Sequence, residues 1–200
     1  MTAPVTTLGG MFALEVLAEQ ASSCTQCTLA EGRTQVVFGM GSPTADLMFV
    51  GEGPGAEEDK VGLPFVGRSG RLLDRLVLEE MGLTREDFYI ANTVKCRPPG
   101  NRDPRPDEIA ACRPYLEGQL DMIDPTVVVT LGNFATKLLL DTNVGVTKLR
   151  GRCYPYRSGV LIPTVHPSFV LRGGTGAMAQ MRADLVRAKL VLAGQAGPDT

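Results

Sequence analysis

Residues 46–60 read DLMFVGEGPGAEEDK, an apolar run that ends in a glycine-rich turn and then three carboxylates. A short run that is apolar at successive positions, rather than at alternate ones, is the pattern of a strand covered on both faces. Three further runs share it: FYIANTV at 88–94, TVVVTL at 126–131 and VLIPTVH at 160–166. Helix-like stretches lie between them. SGRLLDRLVLEEMG puts Leu72, Leu73, Leu76 and Val77 on one side, and PDEIAACRPYLEGQL begins near Pro106. Further helices are expected at about 10–21, 132–140 and 177–193, while RPPGNRDPRP is too rich in Pro and Gly to be anything but a loop. Strands alternating with helices predict an α/β fold, a three-layer α/β/α sandwich around a mainly parallel four-stranded sheet.

With 200 residues, 44% of them hydrophobic, the chain buries one sizeable core, and no repeat or linker divides it. One domain over residues 1–200 is expected, with about 1–10 and 193–200 frayed. The net charge of −2 argues against a generally basic nucleic-acid coat protein but leaves room for a local patch that meets phosphate. No run of about 18 apolar residues exists to span a bilayer, and MTAPVTTLGGMF lacks the basic and apolar regions of a signal peptide. A cytoplasmic protein with no membrane partner is the expectation.

In an open parallel sheet, ligands sit beyond the carboxyl ends of the strands. Three of the four expected strands lead there into unusual polar sequence: GEGPGAEED, NTVKCRPPGNR and HPSFVLR. The first is not a phosphate cradle, because Glu57, Glu58 and Asp59 would repel the anion and the G-x-G-x-G spacing fits neither nucleotide fingerprint. Carboxylates beside close-approach glycines suit a developing cation and an attacking water. The competing reading is a solvated turn whose acids cap the next helix, which holds for Glu57 and Asp59.

Cys24 and Cys27 form C-x-x-C, and Cys96 and Cys112 enter much later in the chain. Two loops of this kind close one four-thiolate site, for which tetrahedral zinc and a [4Fe-4S] cluster are equally compatible with the spacing. Cys153, in RGRCYPY, falls outside the pattern and reads as an ordinary thiol.

Taken together, GEGPGAEEDKVGLPFVGRSGRLLDR, NTVKCRPPGNRDP, TVHPSFVLR and the cysteine set resemble the family 4 uracil-DNA glycosylases, the iron-sulfur branch of that superfamily, over about residues 20–190. The resemblance implies hydrolysis of the N-glycosidic bond of deoxyuridine in single- or double-stranded DNA, with release of uracil and an abasic site left behind. It implies a [4Fe-4S] cluster on Cys24, Cys27, Cys96 and Cys112. By motif position, Glu52, Gly53 and Glu58 lie beside the scissile bond, Phe65 stacks on the uracil ring, and Asn92 reads its Watson-Crick edge. For His166, the single histidine, the resemblance implies a donor to uracil O2 as charge develops there. Lys95, Arg97, Arg102 and Arg105 are expected to face phosphate, with Val170, Leu171 and Arg172 as an apolar wedge and its phosphate contact.

One departure matters: where the best-known branch of the superfamily carries an Asp that activates water, GEGPG places Gly53. Glu52, Glu58 and substrate-assisted dissociation remain alternatives for that role. A monomer is expected, with a replication or repair factor as candidate partner. The rival readings are a hydrolase of free nucleosides, a non-catalytic iron-sulfur protein that binds nucleic acid, and a zinc-stabilised scaffold.

Overall fold

The computed structural model describes residues 5–199, with side chains from Phe12 onward. The chain runs through α1 (Val5–Ser22), α2 (Leu29–Gly32), β1 (Met40–Gly41), β2 (Leu47–Gly51), α3 (Ala56–Val61), α4 (Arg68–Met81) and β3 (Tyr89–Asn92). It continues through α5 (Pro106–Ile123), β4 (Val127–Leu131), α6 (Asn133–Leu139), α7 (Val146–Leu149), β5 (Tyr154–Tyr156), β6 (Gly159–Thr164) and α8 (Pro167–Leu192).

The strands form one sheet in the order β1-β3-β2-β4-β6-β5. The inner four are parallel, in the register Phe49↔Ile90, Phe49↔Val129 and Val129↔Ile162. These are the four strands read from the sequence. The short edge strands β1 and β5 were not expected, and both pair antiparallel with their neighbours. Each is two or three residues long with no buried residue, so neither produces a hydrophobic run.

Residues along a strand alternate between two cores. Leu47, Phe49, Ile90, Val129 and Ile162 face α4 and α8, meeting Leu73, Leu76, Val77, Met181 and Leu185. Met48, Val50, Ala91, Val128 and Leu161 face the other side, against Leu14 of α1, Leu116 and Leu120 of α5, and Ala135 of α6. Helices on both faces explain why the strands are apolar throughout. Burying one such Leu or Val stabilises the fold by about 1.5–3 kcal/mol, so the stripe of α4 fixes that helix to the sheet.

Capping marks the helix ends. Gly82, at φ +74°, stops α4 with its N–H on the Leu78 carbonyl, a left-handed turn that glycine adopts without strain. At the start of α5, Pro106 occupies the first turn and the Glu108 carboxylate accepts from the Arg105 N–H at 2.7 Å. Helix α8 begins ten residues earlier than expected, at Pro167 rather than 177, and is kinked at Gly174 with φ +66°. Glycines at 173, 174 and 176 conceal its helical character in the sequence.

Both chain ends were expected to fray. Part of residues 1–10 lies outside the described residues, and α1 already starts at Val5. At the other end, Asp199 is tied to the β5 side. Its N–H donates to the Cys153 carbonyl at 2.9 Å, and its carboxylate accepts from the Cys153 N–H at 2.6 Å and pairs with Arg187.

Candidate active site

From β2 the sheet grows to β3 on one side and through β4 to β6 on the other, so the strand order reverses between the parallel β2 and β4. At such a switch point the connections leave the carboxyl ends in opposite directions and open a crevice. A groove of about 800 Å³ occupies it, and Glu52, Gly53, Glu58, Phe65, Asn92 and His166 all line it. The residues expected to carry the chemistry, spread over more than a hundred positions, are thus brought together.

Asn92 ends β3 and is 1% exposed, yet its Oδ1 has no hydrogen-bond partner among the described residues. A buried amide oxygen without a donor costs about 1–3 kcal/mol and is rare in a finished core. The residue is held close to its neighbours. A side chain at Gly51 would put Cβ 2.5 Å from both Asn92 Oδ1 and the Phe65 ring, so only glycine fits between them. Glu52 follows directly, and its backbone carbonyl accepts from the Val94 N–H at 3.2 Å and from the Thr93 hydroxyl.

Phe65 is 6% exposed and sits at φ +54°, a strained value for a bulky side chain. Its ring lies 6.0 Å from that of His166, tilted by 37°. His166 caps α8: its Nδ1 accepts from the Ser168 N–H at 3.1 Å. An accepting Nδ1 carries no proton, which assigns the proton of the neutral ring to Nε2. Burial, assisted by Arg172 and opposed by Glu58, lowers the His166 pKa to about 4. The ring is therefore a neutral donor.

Burial, reinforced by Asp103, raises the Glu52 pKa to about 7. Glu58 is engaged in the scaffold instead, where its Oε1 accepts from the Gly67 N–H at 2.8 Å at the start of α4. Asp59, whose carboxylate accepts from the Thr34 N–H at 2.9 Å, is also structural, and Glu57 pairs with Lys60 in solvent.

The cationic set is only partly as expected. Lys95 does not face phosphate: it is 1% exposed, and its ammonium donates to the Asn92 carbonyl at 2.8 Å and to Gln119 Oε1 at 2.5 Å. Arg102 lines the groove while holding the buried Glu108 through two bonds, at 2.9 and 2.6 Å. Arg97 Nε donates to Asn101 at 2.7 Å, and Arg105 is exposed at the start of α5. Arg172 lines the groove. In the apolar pair, Val170 is 2% exposed and packs in the core under α8. The exposed pair is Phe169 and Leu171, each at 44%. The expected doublet at 170 and 171 therefore has one buried and one exposed member, because Val170 turns into the core that Ala177 and Met181 also enter.

Asp103 and Phe169, which sequence reasoning missed, line the groove as well. Phe169 carried a legible signal, an aromatic directly after the HPS turn. Asp103 carried none, since its relation to Glu52 arises from the fold.

Cys24, Cys27, Cys96 and Cys112 line one small cavity with Ala21, Arg33 and Tyr115, next to the loop that leaves β3. The Lys95 N–H donates to Cys112 Sγ at 3.2 Å, and Arg33 Nη1 donates to Cys96 Sγ at 3.5 Å and to the Cys24 carbonyl at 2.7 Å. Among the described residues no His, Cys, Asp or Glu group converges tightly enough to mark a single-ion site. Cys153 lies elsewhere, buried and accepting from Arg187 Nε at 3.1 Å.

The Uracil DNA glycosylase superfamily model matches residues 38–190. The type-4 uracil-DNA glycosylase of Thermotoga maritima is 46% identical over 179 residues, which cover 88% of this chain and 93% of the relative. The type-4 enzyme of Sulfurisphaera tokodaii is 46% identical over 80% of this chain and 77% of its own length. That of Saccharolobus solfataricus is 45% identical over 79% and 77%. A family model that spans every strand of the sheet, together with relatives 46% identical over most of this chain, decides the matter, and the chain belongs to the type-4 uracil-DNA glycosylases of the uracil-DNA glycosylase superfamily.

Proposed function

We propose that this protein excises uracil from DNA by hydrolysing the N-glycosidic bond of a flipped deoxyuridine, leaving an abasic site for base-excision repair. The observation that carries the reading is the partnerless Asn92 Oδ1, buried beside Phe65 and His166. In this reading uracil completes the missing bond: Oδ1 accepts from N3–H and the amide nitrogen donates to O4. Cytosine has no N3–H and mismatches the same edge. Phe65 stacks on the base. The Nε2–H of neutral His166 donates to O2 as uracil departs as an anion, a donor aimed at charge that develops only in the transition state.

Glu52 is the better-supported group at the sugar, because Glu58 is committed to the Gly67 N–H. As a carboxylate, Glu52 stabilises the oxocarbenium-like sugar and takes a proton from water. A groove of about 800 Å³ is far larger than one base needs, which favours a polymer over a free nucleoside. Arg102, Arg172, Arg97 and Arg105 serve as phosphate contacts, with Phe169 and Leu171 as the apolar wedge.

We read Cys24, Cys27, Cys96 and Cys112, which line one cavity, as the ligands of a [4Fe-4S] cluster, one thiolate to each corner. When bound, the cluster supplies a crosslink between the segment after α1, the exit of β3 and α5. We read residues 1–200 as one domain, since helices on both faces share one sheet. No described helix is long and apolar enough to cross a membrane.

The test is incubation with a uracil-containing oligonucleotide followed by alkali, beside an identical thymine-containing strand. Strand cleavage at uracil alone is expected, and an intact uracil strand would overturn the proposal. Brown protein with stoichiometric iron and sulfide is expected in the same preparation, and stoichiometric zinc would replace the cluster reading with the scaffold one.

A further inference from the structure

Phe65 needs an explanation that its own packing does not provide. At φ +54° a phenylalanine sits in a region that non-glycine residues rarely occupy, and such strain persists only where surroundings over-determine it. The restraint lies in the carbonyl groups. Arg85 Nη2 donates to the Phe65 carbonyl at 2.6 Å, and Nη1 donates to the Pro64 carbonyl at 3.2 Å. From the other side the first turn of α4 closes in, where a Cβ at Gly70 would stand 1.6 Å from the Phe65 oxygen.

The guanidinium is itself fixed. Asp74, on α4, accepts from Arg85 Nε at 2.5 Å and from Nη2 at 3.3 Å, and the guanidinium carbon lies 5.8 Å from the Phe88 ring centroid. The Arg85 side chain is 20% exposed and is not among the groove residues. Two carbonyls one residue apart are gripped by one planar fork, which lysine cannot reproduce.

We propose that Arg85 is a positioning residue for uracil recognition: by holding the Pro64 and Phe65 carbonyls it keeps Phe65 in its strained conformation, with the ring presented to the base beside Asn92. The proposal rests on Phe65 as the stacking ring. Without the grip, the peptide relaxes out of the left-handed region and the ring leaves its place between Gly51 and His166. Asp74 acts one step further back, by orienting the guanidinium.

A double-mutant cycle in the full chain tests this, with Arg85→Met, Arg85→Lys, Phe65→Ala and Phe65→Ala/Arg85→Met compared below all their thermal midpoints. Single-turnover excision and inhibition by free uracil are the readouts. Arg85→Met should lower excision by about 10- to 100-fold, as a displaced contact group does, and should weaken inhibition by uracil. Added to Phe65→Ala, the same change should cost less than about twofold, because its target is gone. Arg85→Lys, which keeps a cation for Asp74, should fall between Arg85→Met and wild type, and it carries the test if Arg85→Met does not fold. Equal losses from Arg85→Met in both backgrounds, or unchanged uracil inhibition, would overturn the role. Wild-type activity in Phe65→Ala would instead remove the stacking reading on which it rests.

Discussion

The ammonium of Lys95 donates to the backbone carbonyl of Asn92 at 2.8 Å from a position that is 1% exposed, so the lysine of the KCRPPGNR loop braces the recognition strand from inside. Gln119 Oε1 accepts its second bond, and Gln119 in turn donates to the Phe38 carbonyl and the Tyr89 hydroxyl. Burial lowers the Lys95 pKa to about 8, which leaves it mostly charged at neutral pH. Lys95→Met should leave two buried acceptors without donors and lower unfolding free energy by about 2 kcal/mol. Its effect on DNA affinity should show the same salt slope as wild type, since a buried lysine neutralises no phosphate. A slope reduced by about one would restore Lys95 to the DNA interface.

The sequence was legible wherever burial is two-sided or a motif is local. The runs around Phe49, Ile90, Val129 and Ile162 had to be strands, and the leucine stripe of α4 had to be a helix against them. Lys95 was misread because a cation among Arg and Pro looks solvated, and nothing local records that Gln119, twenty-four positions away, accepts its hydrogen bond. The edge strands at Met40–Gly41 and Tyr154–Tyr156 left no trace because they exist through pairing alone. At the site, Asn92 and His166 were readable as residue types at strand ends. The partnerless oxygen of Asn92 and the fixed tautomer of His166 belong to the packing and emerge only from the fold.

Asn92 should separate function from stability. Its Oδ1 has no hydrogen-bond partner among the described residues, so Asn92→Ala breaks no hydrogen bond of that oxygen in the free protein. The thermal midpoint should stay within a few degrees of wild type. Excision should fall by about 100-fold or more, since each of two lost base-edge bonds is worth roughly 1–3 kcal/mol. Thermal melts and single-turnover assays on one preparation check both halves. Undiminished excision in a folded Asn92→Ala protein removes the residue from base reading.

The pH profile should report Glu52. Its pKa of about 7 arises from burial first and the Asp103 carboxylate second. With the carboxylate as the active form, kcat/KM should rise with pH through about 7. Asp103→Asn removes a like charge, makes ionisation easier and should move that limb to lower pH, whereas Glu52→Gln should abolish activity. His166, at about 4, stays neutral above pH 5 and adds no limb in this range. A limb that Asp103→Asn leaves in place assigns the ionisation to another group.

Arg102 and Glu108 give a separate acid signature. The Glu108 side chain is 0% exposed, and the Arg102 hydrogen bonds are the main cause that lowers its pKa from 4.5 to about 2. A carboxyl whose pKa is depressed by folding stabilises the native state fully above its unfolded value, and that stabilisation is lost as pH falls through the folded value. Wild type should therefore lose stability between about pH 4.5 and 2 more steeply than Glu108→Gln. Arg102→Ala, which strands the buried carboxylate, should lower the midpoint at pH 7 by several degrees. Denaturant melts across this range measure the slopes, and parallel curves for wild type and Glu108→Gln would contradict the assignment.

His166 and Phe65 lie 6.0 Å apart ring to ring and should nonetheless fail differently when truncated. The Ser168 N–H holds His166 Nδ1 as an acceptor, which leaves Nε2–H as the donor that the proposed function aims at the charge on departing uracil. His166→Ala therefore removes a transition-state interaction and leaves ground-state affinity for DNA near wild type. One donor of this kind is typically worth about 100- to 1000-fold in rate, roughly 2.7–4 kcal/mol. Phe65→Ala should weaken capture of the flipped base as well, because stacking is present before the bond breaks. Single-turnover excision and equilibrium binding to an abasic-product duplex, measured at one salt concentration because phosphate contacts make affinity salt-dependent, separate the two. If His166→Ala excises uracil at the wild-type rate, or loses DNA binding in step with activity, the histidine is not a transition-state donor.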